Sequence, residues 1–90
     1  MIRRNRIKWI VKKAVMHEDY TIHLCFADRS QRVYDMKPLL EKKLFAPLKN
    51  RDVFLNGRVE NGTVTWDNDI DIAPEELYYH GVITESKTRK

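Results

Sequence analysis

Three aspartates occupy alternate positions in the second half of the chain, Asp67, Asp69 and Asp71. This is the spacing of the first ligands of a calcium-binding loop, which also needs glycine at its sixth position and glutamate at its twelfth. Here those positions hold Ile72 and Tyr78. The intervening residues alternate as they do in a strand, so we predict no metal site and interpret the carboxylates as solvated or helix-capping groups.

The three histidines, His17, His23 and His80, are far apart and form no zinc-ligand spacing with the single cysteine, Cys25. Cys25 falls in mid-strand, where a small buried side chain is usual. The sequence has no nucleophile-elbow, phosphate-loop or dinucleotide motif. We therefore predict that the protein is not an enzyme and has no catalytic residue, cofactor or small-molecule substrate. A single cysteine is typical of the reducing cytoplasm.

Charge is divided between the two ends of the chain. The first 13 residues hold six cations and no acid, and we call these cations the basic segment: Arg3, Arg4, Arg6, Lys8, Lys12 and Lys13. Residues 59–84 hold no Lys or Arg, and we call five of their acids the acidic patch: Asp67, Asp69, Asp71, Glu75 and Glu76. The net charge of +4 therefore conceals a dipolar molecule.

The chain has 90 residues, of which 42% are apolar, enough for one hydrophobic core and too few for two. No apolar run approaches the roughly 18 residues of a membrane span. We predict a single domain over residues 1–80 and a polar, frayed tail over residues 81–90. The aromatic residues that fall on predicted core faces are Phe26, Phe45, Phe54 and Trp66.

Alternation of apolar and polar residues predicts that the chain opens with a three-stranded antiparallel meander. Ile7, Trp9 and Val11 indicate a half-buried strand that places Trp9 in the core. Residues 20–26 have strict period two, with the even-numbered side chains on the apolar face. After a short turn, residues 31–35 return as the third strand.

The pattern then changes to the period of a helix, over about residues 37–44. Asp35 is a plausible N-cap for this helix, and Pro38 is tolerated in its first turn. Pro47 has no N–H to continue the helix, so we predict an interruption followed by a short turn over about residues 46–50.

A second β-hairpin and a short helix complete the predicted fold. Asn61-Gly62 suits the tight turn of a hairpin over about residues 53–66, with a bulge at Asn56-Gly57. Pro74 and the two glutamates after it are typical of a first helical turn, which predicts a helix over about residues 74–79. The fold class is α+β.

Several short motifs in the chain are similar to those of a known protein family. The most specific is the run from Trp66 to Tyr78, and weaker matches are Leu24 to Asp28, Asp35 to Leu39, Phe45 with Leu48, and Asp52 to Phe54. Over about residues 9–79 the chain thereby resembles a small bacterial family catalogued as domain of unknown function 2442. The resemblance implies an α+β fold without an established activity. Some relatives look fused to a helix-turn-helix domain, and some are encoded beside another small domain. We expect no fused domain of this kind in the 11 residues after Tyr79.

Two positions depart from the family pattern. Arg29 and Asp69 stand where the family usually has glycine, after the turn aspartate and after the asparagine. Glycine there indicates a positive φ, which aspartate tolerates better than arginine. The turn at Asp28 and Arg29 is therefore where a difference from the family is expected.

Two hypotheses of function follow from these patterns. The first is a non-enzymatic interaction module that binds a protein partner or itself, in a toxin–antitoxin-like or regulatory pair. In that case the basic segment of one copy faces the acidic patch of another. The alternative is a nucleic-acid-binding accessory protein whose basic segment contacts phosphates.

Overall fold

The computed structural model describes residues 8–67 and 70–84. It confirms the α+β class and the opening three-stranded meander. The first sheet is antiparallel with the strand order β1-β2-β3-β7. Its strands are β1 (Val11–Met16), β2 (Thr21–Phe26), β3 (Gln31–Asp35) and β7 (Val82–Ile83).

The strict alternation in β2 produces the core face of this sheet. Ile22, Leu24 and Phe26 are all buried, because alternate residues of a strand point to the same side. The predicted start of β1 is wrong, however. The strand begins at Val11, and Trp9 lies in a turn before it, half-buried against the core. Ile7 is outside the described residues.

Three short helices connect the two sheets, and the single helix predicted over residues 37–44 is divided. One 3₁₀ helix spans Lys37–Glu41 and a second spans Lys43–Lys49, with an extended residue, Lys42, between them. In a 3₁₀ helix every third side chain shares a side. Phe45 and Leu48 are therefore buried together, whereas Leu44 is 59% exposed.

The second sheet is smaller, and its first arm differs from the prediction. Its strands, in the order β4-β5-β6, are β4 (Arg58–Glu60), β5 (Thr63–Trp66) and β6 (Ile70–Asp71). The turn at Asn61-Gly62 has φ values of 54° and 78°, as the hairpin prediction requires.

The segment predicted as strand from residue 53 is instead the end of helix α1 (Arg51–Leu55). The Asn50 side chain accepts a hydrogen bond from the Asp52 backbone N–H at 3.0 Å and so caps this helix. The predicted bulge at Asn56-Gly57 is the exit from α1, where both N–H groups donate to helix carbonyls.

Helix α2 (Pro74–His80) confirms the predicted C-terminal helix. It packs on the core face of the first sheet, where the Tyr78 ring meets Phe26 edge-on at 5.0 Å. The chain then continues as β7, which pairs with β3 through Val82 and Ile83. Residues predicted as the start of a frayed tail are thus part of the sheet.

One hydrophobic core joins the two sheets and the helices. The four aromatic residues predicted for it are all buried: Phe26, Phe45, Phe54 and Trp66. Trp66 also donates its indole N–H to the Phe54 carbonyl at 2.8 Å, which satisfies its only polar atom. No helix in the described ranges has the length and apolar content to cross a membrane.

Candidate functional site

Four side chains line up across the first sheet, on the face opposite the core. Val15 lies opposite His23, His23 opposite Val33, and Val33 opposite Val82 in the strand register. Directly opposed residues of an antiparallel sheet project from the same face. Since the residues on either side of His23 are buried in the core, these four side chains point away from it. We call them the open-face row.

The open-face row is accessible to solvent. Val15 is 54% exposed and Val82 68% exposed, His23 is exposed, and Val33 is partly buried. Helix α2 covers the other face of the sheet. In the described part of the chain, no helix or sheet packs over the row. Three valines and one histidine left open across four strands are typical of a surface that contacts another molecule.

Opposite charges lie on the two sides of the open-face row. Lys13 is in register with Cys25, toward one end of the strands, and Asp35 is in register with Thr21, toward the other end. Both charged side chains are exposed, although the Asp35 carboxylate also lies 3.1 Å from the Lys37 ammonium. The face therefore has three valines and His23 in its middle and opposite charges at its ends.

A groove of about 570 Å³ opens beside β7, between β3, the first 3₁₀ helix and α2. Val33, Pro38 and Leu39 supply much of its apolar lining, and Glu76 and His80 reach it from α2. The groove adjoins the open-face row, because Val33 and Val82 belong to both. The two features together form one continuous candidate interaction surface.

Glu76 is held in the groove by a buried tyrosine. The Tyr34 hydroxyl donates to Glu76 Oε2 at 2.8 Å, and only 5% of Tyr34 is exposed. Burial, and then this hydrogen bond to a carboxylate, raise the pKa of Tyr34 far above its ordinary value. Tyr34 therefore stays protonated at neutral pH and acts as a fixed donor to Glu76.

A second pair of side chains joins α2 to the hairpin loop between β2 and β3. The Tyr78 hydroxyl donates to Asp28 Oδ2 at 2.5 Å, and the Arg32 guanidinium lies 3.8 Å from the centre of the Tyr78 ring. Desolvation raises the pKa of Asp28, but the hydrogen bonds from Tyr78 and Ser30 lower it by more. This cluster orients α2, and hence Glu76, relative to the sheet.

The described part of the basic segment is exposed and near β1. Lys8 precedes the strand, and Lys12 and Lys13 lie within it. Arg3, Arg4 and Arg6 are outside the described residues. Trp9, which lies within the basic segment, is half-buried, and its ring centre is 6.4 Å from that of Tyr79.

The acidic patch is divided between the second sheet and α2. Asp67 pairs with Arg58 at 3.2 Å, Asp71 and Glu75 are exposed, and Glu76 is partly buried in the groove. Asp69 is outside the described residues. Within residues 8–67 and 70–84, no three His, Cys, Asp or Glu side chains are grouped so that they could hold a metal ion.

The histidines and the cysteine lie at the surface or close to it. His17, His23 and His80 are exposed and Cys25 is partly buried, on the open face of β2. The His17 and His23 rings meet edge-on at 5.6 Å, a contact that the sequence analysis did not anticipate.

Sequence reasoning missed the groove and its tyrosine. Tyr34 and Glu76 are 42 residues apart, so no local spacing relates them. The pattern of β3 gave no signal for the buried hydroxyl, because Tyr34 shares a face of the strand with Arg32 while Val33 lies on the other face.

Comparison with known proteins returns one match. Residues 11–82 match the model of a family described as Protein of unknown function (DUF2442), which agrees with the resemblance noted from the motifs. Neither the curated proteins nor the solved structures contain a match to this chain.

Proposed function

The chain belongs to the DUF2442 family, and we propose that this domain is a non-enzymatic interaction module that pairs with a second copy of itself. The observation that carries the proposal is the open-face row, whose three valines and one histidine lie on a sheet face that no described helix or sheet covers. A sheet face of this kind lowers its free energy by excluding water against an apolar partner.

A second copy suits this face because the face is complementary to itself. A two-fold symmetric interface brings the same patch of both copies together. With the axis diagonal to the row, apolar side chains meet apolar side chains, and Lys13 of each copy approaches Asp35 of the partner subunit. Such charge pairing would determine the register of the two copies, and it would contribute less to the affinity between them.

The size of the face indicates a weak and reversible pair. The three longer strands, about 4.8 Å apart with about five residues of 3.3 Å each, and the two-residue β7 together span roughly 300 Å² in each copy. A pair would bury roughly 600 Å² in total, which is below the roughly 1,200 Å² at which specific, stable interfaces begin. We therefore expect dissociation in the micromolar range or weaker.

Sedimentation velocity from micromolar to millimolar protein concentration tests the pairing. The sedimentation coefficient of the wild type should increase with concentration, and Val15→Lys should keep the protein monomeric. Leu44→Lys is the matched control, because Leu44 is equally exposed but lies in the second 3₁₀ helix. A wild type that stays monomeric at millimolar concentration would disprove the proposal, as would equal effects of the two substitutions.

The geometry of the tyrosine and the cysteine supports a role without catalysis. Tyr34 is held protonated by Glu76, so it is a poor general base at neutral pH. Cys25 is in register with Lys13 and Gln31, not with a histidine or a carboxylate. A nucleophile needs a base within hydrogen-bonding distance, and neither of the residues in register with Cys25 is such a base.

Nucleic-acid binding is a second candidate function, favoured by one observation. Lys8, Lys12 and Lys13 are exposed, and they form no ion pair with any described residue. If all six cations of the basic segment met duplex phosphates, the logarithm of the binding constant would fall with the logarithm of salt concentration with a slope of about −5.

Fluorescence anisotropy with a DNA duplex over a salt series tests this candidate. Replacing Lys12 and Lys13 by glutamine should reduce the slope by about two. Replacing Lys42 and Lys43, which are also exposed, should leave the slope unchanged. Absence of binding at low salt would rule the candidate out.

The cellular setting that suits such a module is a toxin–antitoxin-like or regulatory pair in the cytoplasm. The resemblance noted above supports the pair, and the single free cysteine supports a reducing compartment. Co-purification with the product of the adjacent reading frame is expected, and a clean separation of the two products would argue against this setting.

A further inference from the structure

The groove beside β7 has the features of a peptide site. The strand β7 pairs only with Arg32 and Val33 of β3. In the described part of the chain, Asp35 therefore has no strand partner on that side. The backbone groups of Tyr34 face β2 instead, since hydrogen-bonding direction alternates along an antiparallel strand and Gln31 is the residue that bonds toward β7. An extended peptide can add to such a free strand edge through backbone hydrogen bonds.

One carboxylate oxygen of Glu76 is available to a ligand. Tyr34 occupies Oε2, while Oε1 lies 3.8 Å from His80 Nε2, which is too far for a hydrogen bond. The Glu76 side chain remains 38% exposed. The hydrogen bond from Tyr34 fixes the orientation of the carboxylate before any ligand arrives, which reduces the entropy lost on binding.

The charges around the groove favour the binding of a positively charged group. Asp35 and Glu76 line it together with His80, and none of the residues that line it is Lys or Arg. Lys37 pairs with Asp35 at 3.1 Å, so the two charges compensate each other and Glu76 supplies the negative charge of the groove. The remaining lining is largely apolar. The complement of such a site is a side chain with an aliphatic stem and a positive head, which describes arginine and lysine.

We propose that this groove binds an extended peptide segment of a partner protein through an arginine or lysine whose head pairs with Glu76. The aliphatic stem of that side chain lies on Pro38 and Leu39, and the peptide backbone runs along the free edge of β3 at Asp35. This site overlaps the self-pairing surface at Val33, Asp35 and Val82. The two proposals can still be tested apart, because Val15 belongs only to the open-face row and Glu76 only to the groove.

Titration of isotope-labelled protein with a short capped peptide of alternating valine and arginine, followed by NMR, tests the proposal. The protein carries Val15→Lys so that self-pairing does not interfere. The amide signals of β3 and α2 that border the groove should shift. Glu76→Gln, which can still accept the Tyr34 hydrogen bond, should weaken binding about tenfold or more.

Two controls make the result decisive. Glu75→Gln removes the same charge from an exposed neighbour on α2 and should change the affinity less than twofold. The protein that retains Glu76 should fail to bind a peptide with glutamine in place of arginine. This control does not depend on whether a Glu76 variant folds. Equal binding of the two peptides, or shifts confined to residues outside the groove, would overturn the proposal.

Discussion

Tyr20 and Arg29 occupy the same backbone position in two successive hairpin loops. Each follows a three-residue stretch whose hydrogen bonds are those of a type I turn, and their φ values are 67° and 74°. Arg29 thus adopts the conformation for which the family uses glycine, so the expected difference in this turn is not found. The two residues differ in what their side chains contact.

Tyr20 compensates for its backbone strain with tertiary contacts, whereas Arg29 does not. The Tyr20 hydroxyl donates to the Lys49 carbonyl at 2.5 Å, and its ring lies 5.0 Å from that of Phe54. The exposed Arg29 side chain makes no hydrogen bond or ion pair with any described residue. A left-handed conformation disfavours side chains other than glycine by roughly 1 kcal/mol.

Arg29→Gly and Tyr20→Gly should therefore change stability in opposite directions. We expect Arg29→Gly to raise the free energy of unfolding by up to about 1 kcal/mol. Tyr20→Gly should lower it by about 2–4 kcal/mol, because the ring packing is lost. Urea denaturation measures both, and a loss of stability in Arg29→Gly would refute the strain argument.

The carboxylate of Asp28 contributes to the pH dependence of folding. Its pKa lies below the ordinary value of 3.8 in the folded protein, so folding favours the ionised form. The stabilisation is present above pH 3.8 and is lost as the pH falls through the folded pKa. Asp28→Asn should flatten the acid limb of a stability profile, whereas Glu18→Gln, at an exposed residue, should leave that limb unchanged.

The elements between the sheets show how tertiary packing overrides local preference. Val53 and Phe54 are β-formers by type, yet they lie in α1. The Asn50 cap begins this helix, and Gly57 lets the chain leave it beneath the Trp66 ring. A Cβ at Gly57 would overlap the Trp66 indole nitrogen.

Gly57→Ala should be destabilising although its φ is ordinary. The added methyl would displace the Trp66 ring and break its hydrogen bond to the Phe54 carbonyl. We expect a loss of about 1–3 kcal/mol, measured by urea denaturation with Trp fluorescence. Asn56→Ala, at the exposed neighbouring position, should stay within about 0.5 kcal/mol of the wild type. Equal stability of Gly57→Ala and the wild type would contradict the close packing.

At the scale of the whole molecule, α2 is the component that connects the core to the candidate site. Leu77 and Tyr78 anchor it on the first sheet, while Glu76 faces the groove. Two tyrosine–carboxylate hydrogen bonds, from Tyr34 and from Tyr78, join it to strands and loops more than 40 residues away. Loss of either should loosen the groove as well as the fold.

The alkaline limb of stability should report on these tyrosines. The pKa of Tyr34 is raised by burial and by Glu76, and that of Tyr78 is raised by its hydrogen bond to Asp28. Folding therefore favours the protonated phenols, and stability is lost as the pH rises above the ordinary value of 10.0. Tyr34→Phe should flatten this limb, whereas Tyr79→Phe, at an exposed tyrosine, should not.

The sequence by itself determined the parts of this protein whose signals are local. Period two along β2, the Asn61-Gly62 turn and the acidic first turn of α2 each depend on neighbouring residues, and each was predicted. Only the tertiary structure decided that Val53 is helical, that Val82 extends the sheet and that Glu76 meets Tyr34. Those outcomes depend on burial against residues that are far away in the chain. Because the free energy comes from contacts between distant residues, no local sequence pattern indicates them.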